Sequence, residues 1–231
     1  FPLISQECIM NKYVAKPKYR KLTSDPPEPN AKEIEWERPL LYAVLDNGSG
    51  RTVHVINCHL KSKLPTSIDG QYITSGKQYH WKSAAGWAEG YFISSMKRVG
   101  QALEIRGLLD WIFGQEQDAR IVVCGDMNSD FNDVPVNAIR GRVEETNNVE
   151  LRNSVMVPCE FSVPEPARYS LLHLGERSMI DHIIASKPLI GSYVGTWIFN
   201  EDLTDESGAF RTDALFPESD HAPVPAEFQI D

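Results

Sequence analysis

No stretch of this 231-residue chain is apolar for long enough to span a bilayer, so no membrane-inserted segment is expected. Basic charge is also short. Lys and Arg number 23 against 32 Asp and Glu, for a net charge of −9. Proteins that coat long nucleic acids through many phosphate contacts are usually basic, so that class is disfavoured. A phosphate ester gripped at one point is not excluded. Cysteine is scarce as well: there are four, none in a CxxC spacing, so neither a disulfide framework nor a zinc site is expected. Cys58 and Cys124 fall within apolar, strand-like runs, where a buried free thiol is the ordinary state. That pattern favours a reducing compartment such as the cytoplasm. Repeats, low-complexity segments and the charged-then-apolar pattern of a secretory leader are missing too.

What is present suffices for one domain over residues 1–231. Hydrophobic residues make up 42% of the chain, and five Trp, eight Tyr and nine Phe supply bulk for a core. Residues 40–46 (LLYAVLD) and 51–58 flank an Asn-Gly turn and predict a hairpin. The Pro- and charge-rich stretch 16–39 and the polar stretch 61–80 read as loops. Apolar residues Met96, Val99, Leu103, Leu109 and Phe113 recur at helical spacing, predicting a helix over 88–113 stopped by Gly114. Gly100 and Gly107 argue against its continuity. Residues 121–124, 180–185, 194–199 and 224–230 read as strands and 134–140 as a short helix, giving a mixed α and β class.

Four short motifs sit at the ends of these apolar runs: VHVINCH ending at His59, IVVCGDMN with Asp126 and Asn128, MIDHIIA with Asp181, and ESDHAPV with Asp220 and His221. Gly125 lets the chain leave its strand sharply, so that Asp126 can orient or deprotonate a water while Asn128 holds a phosphoryl oxygen. The plain alternative is an Asx-rich turn closing a buried strand. Asp220 has the chemistry to bind a metal and His221 to donate to a phosphate oxygen, or both belong to a polar turn before the last strand. Asp181 can fix a neighbouring imidazole, or merely cap a loop. His59, if protonated, would stabilise a phosphorane-like transition state or protonate a leaving oxygen. Lys61 and Lys63 can contact substrate or simply solvate a face. His54, His80, His173 and His182 read as structural.

Taken singly, none of these decides between structure and chemistry; taken in order, they do. HLKSK, GDMN, IDHI and SDHAP, with FNDVP following GDMNS, closely resemble the endonuclease/exonuclease/phosphatase superfamily with the deoxyribonuclease-I-like fold. The resemblance runs over nearly the whole chain. It implies an α+β, four-layer α/β/β/α sandwich of two packed mixed sheets. It further implies in-line attack of water on a phosphate ester with Mg²⁺ or Mn²⁺. Asp126 would activate the water, Asn128 would hold the phosphate, and His221 paired with Asp181 would stabilise developing charge. His59 would act as general acid or electrostatic stabiliser, Lys61 would contact substrate, and Asp220 with Asp126 would place the metal.

The family also begins with an Asn-bearing strand and a strand ending in Gln-Glu, whose Glu is its principal metal ligand. Phe1-Pro2-Leu3-Ile4 is similar to a later element, so the N-terminal strands, and with them that ligand, are expected to be missing. Weak metal binding and low activity would follow. Met179-Ile180-Asp181-His182 is nearer to the nuclease and deadenylase members than to the inositol-phosphate phosphatases, so a phosphodiesterase or nuclease acting on a phosphate ester, nucleic acid among the candidates, is the leading expectation. A phosphomonoesterase or a sphingomyelinase-like lipid diesterase is the runner-up. From another class, a non-catalytic binding module on the same fold is opposed by the joint retention of His59, Asp126, Asn128, Asp181, Asp220 and His221. Specificity is expected to lie in the loops 61–80 and 201–217.

Overall fold

A computed structural model describes residues 1–75, 78–209 and 219–230 of the chain. Its strands are β1 (Leu3–Ile9), β2 (Lys18–Tyr19), β3 (Lys32–Glu33), β4 (Leu40–Asp46), β5 (Thr52–His59), β6 (Tyr72–Ser75), β7 (Gln78–Trp81) and β8 (Arg120–Asp126). They continue with β9 (Met156–Pro158), β10 (Leu171–His173), β11 (Glu176–Ser178), β12 (Asp181–Ser186), β13 (Tyr193–Thr196) and β14 (Ala226–Phe228). Two helices matter for the core: α1 (Ala84–Gln115) and α2 (Val134–Arg140). Six strands form one sheet in the order β1-β4-β5-β8-β12-β9. Only β5 and β8 run parallel within it, and α1 is the crossover between them. The class is the expected one, mixed α and β around a central mixed sheet.

Alternation along the strands assigns the two faces. Tyr42, Ile56, Cys58, Ile121, Val123 and Ile184 face α1 and pack with Ala102, Ile105, Leu108, Leu109 and Ile112 in the main core. The intervening residues Val122, Ile183 and Ala185 face the other way, against Tyr193, Ala226 and Phe228 of the β13–β14 ribbon. Among the described residues the second β layer is thus this narrow ribbon rather than a wide sheet. Pro223 and Pro225 lead into β14 and have no ladder donor to widen it. Strand β1 forms one outer edge, with every residue but Ile9 exposed.

The hairpin over 40–58 forms as expected, with Asp46 paired to Thr52 across its turn. The long helix starts four residues before the expected position, because Ser83 caps it by accepting the Gly86 N–H. It also passes unbroken through Gly100. A Cβ there would lie 2.2 Å from the Trp36 ring, so this glycine serves close packing and not a break. The stretch 61–80, expected as loop, carries the β6–β7 hairpin, and 16–39 carries β2 and β3. No helix among the described residues is long and apolar enough to cross a membrane.

Candidate active site

Sheet register brings three of the expected residues into a row. His59 ends β5 opposite Asp126 at the end of the parallel β8, and Asp126 lies opposite Asp181 at the start of the antiparallel β12. Cross-strand partners project to one side and sit about 5 Å apart. The close approach depends on Gly125: its φ is +132°, and a Cβ would lie 1.9 Å from the Cys58 carbonyl oxygen. Any side chain there would force β5 away from β8 and separate His59 from Asp126.

Asp126 is tightly engaged. Its Oδ2 lies 3.2 Å from His59 Nε2 and accepts the Asn128 side-chain amide at 2.9 Å. Its Oδ1 accepts the Asn128 backbone N–H at 2.7 Å. Asn128 holds a left-handed φ of +48°, which asparagine tolerates better than most residues. Its amide nitrogen also donates to the Leu60 carbonyl at 3.0 Å. Both amide hydrogens are therefore spent inside the protein. This departs from the expectation that Asn128 holds a phosphoryl oxygen: its contacts instead fix Asp126.

Beside this group, His221 Nδ1 donates to Asp181 Oδ2 at 2.7 Å. Ser170 organises the pair from below: its hydroxyl accepts the Asp181 N–H at 3.1 Å and its carbonyl accepts the Ala222 N–H at 2.8 Å. His221 also bridges to Leu171 of β10. Asp220 is exposed, in the turn just before His221. Lys61 is not aimed at the row; its ammonium donates to Ser62 Oγ and the Leu64 carbonyl. Of the expected specificity loop 201–217, residues 210–217 lie outside the described residues.

Electrostatics push the two imidazoles in opposite directions. The Asp181 hydrogen bond raises the His221 pKa to about 9, against the opposing effect of burial. Burial lowers that of His59, and Arg38 adds to the effect against the pull of Asp126. The Asp126 carboxyl is raised, chiefly by burial, opposed by the Asn128 N–H and reinforced by Asp181. At neutral pH the arrangement holds one cationic imidazole and, a strand or two away, a neutral imidazole on a carboxylate of raised pKa. Such divergence is what acid–base chemistry at one site requires. It favours the neutral form of His59, whereas a general acid at this position needs the protonated ring.

Two participants had no signal in the sequence. Arg38, whose guanidinium donates to the Leu60 carbonyl at 3.4 Å, is one more cation in a charge-rich loop. Ser170 is one of many serines, buried by tertiary structure alone.

Few donors at the row are free to hold a hard cation. Asp126 Oδ2 is taken by Asn128 and His59, Oδ1 accepts one bond from Asn128 and keeps a lone pair, and Asp181 commits one oxygen to His221. Among the described residues, no three His, Cys, Asp or Glu side chains converge on a point that an ion would occupy. Mg²⁺ commonly takes only one or two carboxylates and completes its six oxygens with water and substrate phosphate, so Asp220 and the uncommitted oxygens of Asp126 and Asp181 are the donors that would hold it.

The sequence pattern of the Endonuclease/Exonuclease/phosphatase family matches residues 38–216, which is most of the chain. No curated protein matches it. Among solved structures, an endonuclease/exonuclease/phosphatase family protein from Leptotrichia buccalis is 10% identical, with a TM-score of 0.45 over 100% of this chain and 62% of that one. A 3′ phosphatase, NExo, from Neisseria bound to a product DNA hairpin is 16% identical, with a TM-score of 0.45 over 97% and 80%. Truncated Caenorhabditis elegans TDP2 is 14% identical, with a TM-score of 0.48 over 97% and 64%. The chain thus spans less than two thirds of the Leptotrichia and Caenorhabditis proteins. At TM-scores below 0.5 these likenesses carry no argument about activity.

Proposed function

The chain belongs to the endonuclease/exonuclease/phosphatase family, and from that premise we propose that it hydrolyses phosphodiesters by in-line attack of water. The observation that carries the reading is the row His59–Asp126–Asp181 with His221 clamped to Asp181 at 2.7 Å. Asp126, backed by neutral His59, accepts the proton of the attacking water. Asn128 holds the carboxylate in position. Cationic His221, its Nδ1 fixed by Asp181, turns Nε2 toward the phosphoryl oxygens and stabilises the charge that grows there. Arg38 adds positive potential near His59. Attack is direct: the new P–O bond forms as the ester bond opposite it breaks, the leaving oxygen departs with a proton from water, and no enzyme-bound phosphoryl intermediate forms.

A diester suits one charge-stabilising imidazolium better than a doubly charged monoester. The net charge of −9 favours a small or lipid-like ester over a long duplex, whose many phosphates would be repelled. The test compares bis-p-nitrophenyl phosphate with p-nitrophenyl phosphate. Preference for the diester is expected. Turnover of the monoester alone would replace the reading with a phosphatase, and turnover of neither would favour the binding module.

A further inference from the structure

Beneath the row lies a buried pair that the chemistry above does not use. The His182 and Glu160 side chains are both 0% exposed, with Nδ1 of the ring 3.5 Å from Glu160 Oε1. That same carboxylate oxygen accepts the backbone N–H of Ile183, which ties it to β12. On the other side of the ring, Nε2 donates to the Ser129 carbonyl at 2.8 Å. The edge of the ring meets Phe131 at 4.9 Å between centroids.

We propose that His182, backed by Glu160, is a positioning residue that locks the loop carrying Asp126 and Asn128 to the strand carrying Asp181. The topology makes the ring a strut between the two halves of the site. His182 follows Asp181 on β12, and the carbonyl it grips belongs to the residue after Asn128. Apart from it, the described backbone tie between this loop and the approach to β12 is Met127 N–H to the Ile180 carbonyl at 2.8 Å. Asn128 sits between these two ties in a left-handed conformation that must be held.

Stability does not account for the pair. Buried ion pairs are commonly no more stable than apolar residues of equal volume. This one also leaves Glu160 Oε2, His182 Nδ1 and Ser129 Oγ buried without hydrogen-bond partners. Unsatisfied buried polar atoms are costly, so the pair contributes geometry rather than stability. Burial opposes a charged ring here, but Glu160, the Ser129 carbonyl and Asp130 outweigh it and raise the His182 pKa.

The inference rests on the active-site reading only where turnover is measured, so its test has two arms. Amide hydrogen exchange is followed over residues 126–131 in the wild type, His182→Leu, His182→Gln and Glu160→Gln, and turnover of bis-p-nitrophenyl phosphate is measured in the same four proteins. His182→Leu is expected to speed exchange over 126–131 by about tenfold, the worth of one hydrogen bond, with 120–124 unchanged. Its kcat should fall by about 10- to 100-fold at constant KM, because displaced groups cost rate and not binding. His182→Gln keeps a donor toward Ser129 and should recover most of both losses. Glu160→Gln keeps the acceptor for Ile183 and should give a smaller change over the same residues. If His182→Leu does not fold, the Gln variants and the wild-type spectrum decide. A slowly exchanging imidazole N–H on His182 in the wild type is then required. Unchanged exchange over 126–131, or a fast-exchanging imidazole proton, would overturn the proposal. An inactive wild type with the exchange pattern intact would overturn the phosphodiesterase reading and leave the strut standing.

Discussion

Replacing Asp181 with Asn is the most informative single change, because its effect can be worked out in advance. The Asp181 carboxylate is the leading cause of the rise of the His221 pKa from 6.5 to about 9. At about 1.36 kcal/mol per unit, that rise is worth about 3 kcal/mol between the two protonation states. His221 is 28% exposed, so screening trims the figure to about 2 kcal/mol. In Asp181→Asn the amide oxygen still accepts from Nδ1, but the charge is gone and His221 should titrate back near 6.5. Imidazole NMR titration reads this directly. The sign for stability follows from a folded pKa above the unfolded one. The stabilisation is fully present below about pH 6.5 and is lost as pH rises through about 9. The wild type should therefore exceed the variant by about 2 kcal/mol in urea unfolding at pH 6, with the gap closing by pH 10. If turnover needs cationic His221, the basic limb of kcat should move down by about two pH units in the variant. A His221 that titrates near 6.5 in the wild type, or is unmoved by the substitution, would refute this electrostatic account.

Other consequences are checked more briefly. Gly125→Ala puts a Cβ 1.9 Å from the Cys58 carbonyl at a φ of +132°; urea unfolding should show a loss of about 3 kcal/mol, and a loss below about 1 would mean the strands yield easily. Asn128→Ala removes both amide bonds to Asp126 and Leu60; kcat should fall by about 10- to 100-fold with KM nearly constant, whereas a rise in KM alone would return Asn128 to phosphate binding. Because the described side chains form no cation cage, 1 mM Mg²⁺ or Mn²⁺ should raise Tm by less than about 1 °C over an ionic-strength control. A shift above about 3 °C would reveal ligands beyond Asp126, Asp181 and Asp220.

Much of the fold was legible because β-branched alternation and punctuation agreed. VHVINCH and IVVCGD read as strands and form β5 and β8, and Asn47-Gly48 turns the hairpin as its chemistry demands. The failures have physical reasons. Gly100 and Gly107 carry low helix propensity, but the sequence cannot show that Trp36 and Tyr13 press against α1 at those two points. The polar run 61–80 hides the β6–β7 hairpin, whose strands lack an apolar face periodic enough to announce it. At the site, the sequence offered residue types and spacing. It gave no means of knowing that β5 and β8 are parallel and bring His59 level with Asp126. Nor did it reveal that Asn128 spends its amide internally, or that burial and Arg38 draw His59 toward its neutral form. Spacing names candidates; register and burial decide what each can do.

The central claim is that one constellation, Asp126 with His59 on one side and Asp181–His221 on the other, performs water attack on a phosphodiester. Hydrolysis of bis-p-nitrophenyl phosphate by the wild-type chain, beside Asp126→Ala and His221→Ala of verified fold, tests it most directly. Turnover above the buffer blank that is lost in both variants is the predicted result. No wild-type turnover, or turnover that survives both substitutions, would contradict it.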